Sequence, residues 1–314
     1  MLRSDVRIPA GAGAPRGVST LAGRVTAVPD RLAGGPVPVL CCFPGGGMSG
    51  RYFEIAGFDM AAHLAAEGIV VVTIDHPAIG DSDVPDDPWA LTPEVVGDAD
   101  AAGAACVLEQ LRNGSLVDDL PALPDILPIG VGHSMGAMLA LYQQARHRLY
   151  DRLVLLGHSG RGLPEVLTAE ELSIAGDTDE IRKRIVELTR VRFEGNPLPV
   201  GTTAASEFLL GPNVPPATVA AIGETRSALL SVCGLNSMIP GSHDPELASV
   251  DVPVMLGVAE FDITGPPHDT PRWLTGTRDV TLYVQPGAFH NANVAASRVE
   301  LWDRIITWTR TVLR

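Results

Sequence analysis

A serine lies at the centre of the motif Gly-His-Ser-Met-Gly at residues 132–136, between an apolar run that predicts a strand and one that predicts a helix. Such a turn needs small residues two positions before and after the serine, because any Cβ there would collide with the backbone. Gly132 and Gly136 meet this requirement. The turn also places the hydroxyl at a helix N-terminus, where N–H groups can face a developing oxyanion. The motif therefore predicts Ser134 as a nucleophile and the backbone N–H of Met135 as the first oxyanion donor.

A near-copy of this motif follows the next predicted strand, in the segment Gly-His-Ser-Gly at residues 157–160. There the residue two positions after the serine is Arg161, whose side chain a sharp nucleophile turn would not accept. Ser159 is therefore predicted to line the cleft or to cap a helix, and not to act as the nucleophile.

An activated serine needs a histidine within hydrogen-bond reach. Of the eight histidines, His290 follows the last predicted strand and precedes the final helix, so its loop would reach over the strand ends toward the serine. His133 and His158 adjoin turns and are expected to have supporting or packing roles. His290 is therefore the predicted general base.

The histidine in turn needs a carboxylate to orient it. Asp262 follows a predicted strand and lies between the serine and the histidine in the chain, which is the order expected of this kind of site. Glu260 is the main rival, and Asp251 precedes the strand and would lie at the wrong end of the sheet. Asp262 is the predicted third member of the triad.

A glycine-rich loop, Phe-Pro-Gly-Gly-Gly-Met at residues 43–48, follows an earlier strand and would let backbone approach a substrate closely. Pro44 has no N–H, so the second oxyanion donor is predicted to be Phe43 or, alternatively, Gly45. The loop lacks the Lys-Ser/Thr of a P-loop and the spacing of a dinucleotide motif, which excludes nucleotide binding. No cofactor and no metal site is predicted.

These residues require a sheet that brings several strand ends together. Short apolar runs alternate with helical patterns, which is typical of a mostly parallel sheet covered by helices. The predicted strands are Pro36–Phe43, Gly68–Asp75, Asp125–Gly132, Arg152–Leu156, Val252–Ala259 and Val280–Gln285, and the predicted helices are Pro93–Arg112, Met135–Arg148 and Val294–Leu313. Asn113-Gly114 is read as a helix stop.

Residues 161–248 break this alternation. Charged helical patterns occupy Ala169–Arg192, and a second helical piece covers Pro215–Val232. We predict a helical cap at 161–248 over the strand ends, with the core that contains the sheet formed by 1–160 and 249–314. Its possible apolar lining is Leu163, Leu167, Phe208, Leu209, Leu210, Leu235 and Met238.

The composition of the 314-residue chain argues against nucleic-acid binding, membrane binding and export. Lys and Arg total 23 against 37 Asp and Glu, a formal net charge of −14, which disfavours nucleic acid and anionic membranes as partners. No apolar run is long enough for a membrane span, and no export signal is expected from the composition of residues 1–36. Cys41 and Cys42 lie in an apolar strand and are expected to be buried thiols. A cytoplasmic location is predicted, and nothing in the sequence fixes an oligomeric state.

Taken together, these motifs resemble the α/β-hydrolase superfamily over nearly the whole chain. The loop at 43–48 is similar to the oxyanion loop of the proline iminopeptidase-like and epoxide hydrolase-like branches, and Asp75–Ser82 resembles the family's loop after the fourth strand. The resemblance implies an eight-stranded sheet with a cap inserted after the sixth strand. Many relatives begin the oxyanion loop with His-Gly, where this chain has Cys41 and Cys42.

The expected reaction is acyl transfer through a covalent Ser134 ester, on a small and fairly apolar ester, lactone or thioester. A carboxylate nucleophile would be needed for dehalogenase or epoxide hydrolase chemistry, so Ser134 excludes both. Thioesterases of biosynthetic pathways carry a similar loop and elbow, so thioester cleavage stays open. An acyltransferase, a lyase or cyclase, and a non-catalytic receptor are the alternative functions.

Overall fold

An eight-stranded sheet organises the computed structural model, which describes residues 1–32, 35–200 and 206–311. The strands are β1 (Leu2–Pro9), β2 (Thr20–Ala27), β3 (Val37–Phe43), β4 (Val70–Ile74), β5 (Ile126–His133), β6 (Arg152–Leu156), β7 (Val254–Phe261) and β8 (Val280–Phe289). Their order across the sheet is β1-β2-β4-β3-β5-β6-β7-β8. The pairs β1–β2 and β2–β4 are antiparallel, and every other pair is parallel. The predicted eight-stranded, mostly parallel sheet is therefore confirmed.

The six strands that the sequence located are present, but their ends differ by up to four residues. β8 continues through Pro286 and Gly287 to Phe289, beyond the predicted end at Gln285. The first two strands were not located. β1 lies at the sheet edge and alternates exposed with partly buried residues, and Ile8 is its only fully buried position. An edge strand of this kind has too few buried positions to produce a strong apolar pattern.

The core lies on both faces of the sheet. All five residues of β4 are buried, as expected of a β-branched strand covered on both faces. Alternate residues of β3 enter opposite apolar layers, with Cys41 in one and Cys42 in the other. Both cysteines are free and fully buried, and burial raises the pKa of the Cys41 thiol to about 12. The prediction of buried thiols is confirmed.

Helices cover the sheet and fill the segment between β6 and β7. They are α1 (Met60–Ala66), α2 (Pro93–Asn113), α3 (Met135–His147), α4 (Ala169–Leu172), α5 (Thr178–Arg192), α6 (Glu207–Leu210), α7 (Pro216–Gly223), α8 (Ser231–Met238), α9 (Asp244–Ser249) and α10 (Arg298–Thr311). The predicted stop of α2 is confirmed, since Gly114 caps it at φ 75° in the left-handed region. The final helix begins at Arg298 and not at Val294, and its predicted end at Leu313 lies outside the described residues.

The inserted segment has an apolar cluster of its own. Helices α5 and α8 contribute Ile181, Ile185, Leu188 and Leu235 to it. The pattern predicted as one helical piece at 215–232 is divided between α7 and α8, which are separated by non-helical residues 224–230. The division into a core and a cap stays a prediction, and the contacts of this segment with the cleft are given below.

Candidate active site

The turn around Ser134 joins β5 directly to α3. Its backbone is strained, with Ser134 at φ 54° and ψ −120°. A Cβ on Gly132 would lie 2.3 Å from the Gly136 carbonyl oxygen, and one on Gly136 would lie 2.4 Å from the carbonyl oxygens of Phe43 and Pro44. Only glycine fits at either position, which is the steric requirement that the motif predicted.

The structure brings three predicted side chains together at the ends of β5, β7 and β8. His290 Nε2 lies 2.9 Å from Ser134 Oγ, and His290 Nδ1 lies 2.8 Å from Asp262 Oδ1. A neutral imidazole that donates through Nδ1 to a carboxylate leaves Nε2 bare to accept a hydroxyl proton. The arrangement has the geometry needed to activate a serine.

The carboxylate is held in its ionised form. Burial by itself would raise the pKa of Asp262, but the His290 ring and the N–H groups of Ala259 and Thr264 outweigh it, so the pKa lies below its ordinary value. Glu260, the rival in the sequence, instead accepts a hydrogen bond from the Gly287 N–H on the surface. The structure therefore places Asp262, and not Glu260, against the histidine.

His133, the last residue of β5, supports the loop that carries His290. Its Nε2 lies 3.0 Å from the carbonyl oxygen of His290. A carbonyl oxygen only accepts hydrogen bonds, so Nε2 carries the proton of the ring. The His133 ring also stacks on Tyr52, with 4.4 Å between the ring centroids. Burial first, and then the nearby His290 ring, lower the pKa of His133 to about 3. A neutral His133 thus fixes the backbone of His290, which agrees with the supporting role predicted for it.

The glycine loop lies beside the nucleophile turn, but its residues face different sides. Phe43 is the fully buried last residue of β3, and a Cβ on Gly45 would point at the His133 ring, 2.8 Å from Nδ1. Gly46 lines the cleft together with Ser134. Phe43 and Gly45 stay predicted donors, and the structure adds the Gly46 N–H as a third candidate that sequence reasoning missed.

An apolar cleft of about 260 Å³ opens over Ser134 and His290. Four of the seven predicted lining residues do line it, namely Leu163, Phe208, Leu209 and Met238. The other three pack elsewhere: Leu210 in the core beneath the sheet, and Leu167 and Leu235 in or against the apolar cluster of the inserted segment. The apolar character of a side chain does not show which way it faces. The sequence therefore could not separate the residues that line the cleft from those that pack in the core.

Ser159, the serine of the near-copy, is not in a comparable turn. Its hydroxyl donates to the Thr264 carbonyl at 3.0 Å and accepts from the Arg161 N–H at 3.3 Å. It lines the cleft near Ser134, as predicted, but among the described residues its hydroxyl is hydrogen-bonded to backbone groups and not to a histidine.

Two histidine arrangements near the site were missed by sequence reasoning. His76 is fully buried and bonds Asp100 through Nδ1 at 2.6 Å and the Pro44 carbonyl through Nε2 at 3.0 Å. His158 and His243 meet through their Nε2 atoms at 3.1 Å. The partners are 24 and 85 residues apart, so no local spacing could have revealed them.

Comparison with known proteins identifies the family. A model of the alpha/beta hydrolase family matches residues 39–309, and the chain belongs to that family. The structure is similar to a thermophilic esterase from Thermogutta terrifontis, with a TM-score of 0.64, 18% identity and 100% of each chain covered. A bromoperoxidase from Bacillus anthracis gives a TM-score of 0.61 at 15% identity, covering 98% of this chain and 100% of that one. A thioesterase domain from the curacin biosynthetic pathway gives 0.60 at 18% identity, with the same coverage.

At such identities these likenesses show the fold alone. No curated protein matches the sequence significantly. Among residues 1–32, 35–200 and 206–311, no helix is long and apolar enough to cross a bilayer, and no three metal-binding side chains cluster together. The cytoplasmic location and the branch within the family stay predictions.

Proposed function

We propose that this hydrolase cleaves an ester, lactone or thioester through a covalent acyl group on Ser134. The observation that carries the proposal is the continuous hydrogen-bonded chain from Asp262 through His290 to the Ser134 hydroxyl, at 2.8 and 2.9 Å. The strained turn supports it, because it holds the hydroxyl at the start of α3, where the Met135 N–H is free of an intrahelical partner.

In the proposed reaction, Ser134 Oγ attacks the carbonyl carbon while its proton passes to His290 Nε2. The oxyanion accepts hydrogen bonds from the Met135 N–H and from one N–H of the glycine loop, each contributing about 3–4 kcal/mol to the lowering of the barrier. Collapse breaks the bond to the alcohol or thiol, which takes the proton from His290. Water then attacks the acyl group, gives its proton to His290, and the released acid leaves Ser134 with its hydroxyl restored.

A fluorophosphonate tests the covalent step, because it phosphonylates only an activated serine. We expect mass spectrometry to find one adduct, at Ser134, in the natural chain and in a Ser159→Ala variant. Ser134→Ala should take up none and lose about 10⁶-fold in turnover of a p-nitrophenyl ester. Folded natural protein without an adduct, or labelling that survives in Ser134→Ala, would contradict the proposal.

The cleft also supports a small, fairly apolar acyl group. Its volume of about 260 Å³ is below the roughly 300–1,000 Å³ of sites that hold drug-sized ligands. Met48, Leu229 and Met238 supply apolar lining. A series of p-nitrophenyl esters should therefore give the highest kcat/KM at short to medium acyl length, and a steady rise toward the longest chains would argue against this size limit.

A further inference from the structure

A small side lobe, with polar as well as apolar lining, extends the cleft at the ends of β6 and β7. It is lined by His158, Ser159 and Thr264, and it shares Ser134 and His290 with the apolar lobe described above. Its volume is about 30 Å³, enough for roughly one water-sized group. A substrate bound at Ser134 therefore has room here for one small polar substituent.

His158 belongs to a buried chain of three side chains that ends in this lobe. His158 Nε2 lies 3.1 Å from His243 Nε2, and His243 Nδ1 lies 2.9 Å from Ser242 Oγ. The exposed fractions of the three residues are 5%, 1% and 0%. Burial, and then the His243 ring, hold the pKa of His158 well below its ordinary value, and burial lowers the pKa of His243 to about 4. Both rings are neutral at neutral pH.

The hydrogen-bond network sets where the protons lie. Two neutral imidazoles that meet Nε2 to Nε2 share one proton, since two protons would collide and two lone pairs would repel. The Ser242 hydroxyl has no partner within the described residues other than His243 Nδ1, and a buried hydroxyl proton without an acceptor is costly. Ser242 therefore donates to His243 Nδ1, and His243 Nε2–H donates to His158 Nε2. The proton of His158 is consequently on Nδ1.

This Nδ1–H is available to a ligand. It has no hydrogen-bond partner in the described part of the chain and is not completely buried, and His158 lines the lobe. Other polar groups of the lobe are occupied or enclosed: Ser159 Oγ donates to a backbone carbonyl, Ser237 Oγ does likewise within α8, and Thr264 Oγ1 is shut off from the lobe by protein. Apart from the catalytic groups Ser134 and His290, His158 is thus the side chain of the lobe that offers a free donor.

We propose that His158 binds the substrate through Nδ1–H, and that the substrate carries a neutral acceptor oxygen close to its scissile bond. A carbonyl, ether or hydroxyl oxygen fits, because the lobe presents a neutral donor and no Lys or Arg lines it among the described residues. Ser242 and His243 act as positioning residues that keep the proton on the correct nitrogen. The inference rests on the proposed function, since it takes Ser134 as the point of attack.

The test uses pairs of esters in which an ether oxygen replaces one methylene. Butyl butanoate against 2-methoxyethyl butanoate places the oxygen in the alcohol, and methyl pentanoate against methyl 3-methoxypropanoate places it in the acyl chain. For each pair, pH-stat titration gives kcat/KM for the oxygenated ester and for its methylene counterpart. The preference is the ratio of these two values, divided by the ratio of the rates at which the same two esters hydrolyse in alkali. One neutral hydrogen bond predicts a preference of about three- to tenfold for the oxygenated member of at least one pair.

Three variants separate recognition from structure. His158→Gln keeps an amide near the Nε2 position but loses the Nδ1 donor, so the preference should fall to about one, mainly through KM. His158→Asn places an amide N–H near Nδ1 and should retain part of the preference. Ser242 does not line the cleft. Ser242→Ala should nevertheless lower the preference, because without the Ser242 hydroxyl the proton of His243 can move to Nδ1, and the proton of His158 is then no longer held on Nδ1.

The outcomes are distinguishable from those for the proposed function. A natural chain that labels with the fluorophosphonate and turns over esters, but whose preference equals that of His158→Gln, overturns the inference alone. If His158→Gln lowers kcat/KM equally for both esters of every pair, His158 has only a structural role, and the inference is also overturned. If thermal unfolding shows that His158→Gln is not folded, an unchanged preference in Ser242→Ala overturns it. Absence of both labelling and turnover in the natural chain overturns the proposed function instead.

Discussion

Two buried histidine–aspartate pairs differ in the number of protons they hold. Each histidine bonds its aspartate through Nδ1, at 2.8 Å for His290 and Asp262 and at 2.6 Å for His76 and Asp100. Their Nε2 atoms face different partners: the serine hydroxyl for His290, and the Pro44 carbonyl for His76. A carbonyl only accepts, so His76 Nε2 must carry a proton, whereas a hydroxyl can donate to a bare His290 Nε2.

The electrostatics of the two pairs follow the same division. Burial raises the pKa of Asp100 more than His76 lowers it, and Asp100 Oδ1 has no partner among the described residues. Burial would lower the pKa of His76, but Asp100 outweighs it and the pKa is raised. The His76–Asp100 pair therefore holds two protons, one on Nε2 and one between Nδ1 and the carboxyl group, and it anchors the glycine loop. The His290–Asp262 pair holds only the proton between Nδ1 and the carboxylate, so its Nε2 is ready to accept another. The group that faces Nε2, a hydroxyl in one pair and a carbonyl in the other, therefore decides whether the histidine can accept a proton.

The same isosteric substitution should greatly lower kcat in one pair and leave it nearly unchanged in the other. In Asp262→Asn the amide N–H donates to His290 Nδ1, which forces the proton onto Nε2, so kcat should fall about 10⁴-fold. In Asp100→Asn the corresponding tautomer is the one that the Pro44 carbonyl requires, and kcat should stay within about threefold. Steady-state kinetics on one p-nitrophenyl ester compares them directly.

Thermal unfolding serves as the control for both variants, since each replacement preserves shape. Equal losses of kcat in the two folded variants would remove the distinction between a catalytic and an anchoring pair.

Removing one partner of the anchoring pair should mainly affect stability. His76→Leu leaves Asp100 buried without its partner, and we expect the free energy of unfolding to fall by about 3–5 kcal/mol. The double variant His76→Leu/Asp100→Val removes both polar groups and should recover most of that loss. Urea unfolding measures each value, and a double variant no more stable than the single one would show that the pair is not the cause.

The smallest expected effect is a pH dependence of stability. The pKa of His76 is raised in the folded state, so its stabilising contribution is complete below the unfolded pKa of about 6.5 and is lost as the pH rises through the folded pKa. Relative to the double variant, the natural chain should lose at most about 1.4 kcal/mol per pH unit between about pH 6.5 and the folded pKa of His76. Urea unfolding at a series of pH values checks the sign, and a gain with rising pH would contradict it.

Much of the fold could be predicted from the sequence because the patterns that indicate its strands and helices depend on neighbouring residues. The β-branched run of β4 and the Asn113-Gly114 stop of α2 depend on neighbouring residues, and both predictions hold. β1 was missed because an edge strand buries few of its side chains. The piece predicted at 215–232 was divided because residues that suit a helix individually can still be bent away from one by packing.

For the candidate site, the sequence alone determined the residue types and the end of the sheet at which they lie. Glycines on both sides of Ser134 are a steric condition of its turn, and the chain order of Asp262 and His290 follows from strands that run parallel. Only the tertiary structure decided which distant side chains meet: His76 with Asp100, and His158 with His243. The physical reason is that backbone sterics act between adjacent residues, whereas the partner of a buried polar group depends on how separate elements pack.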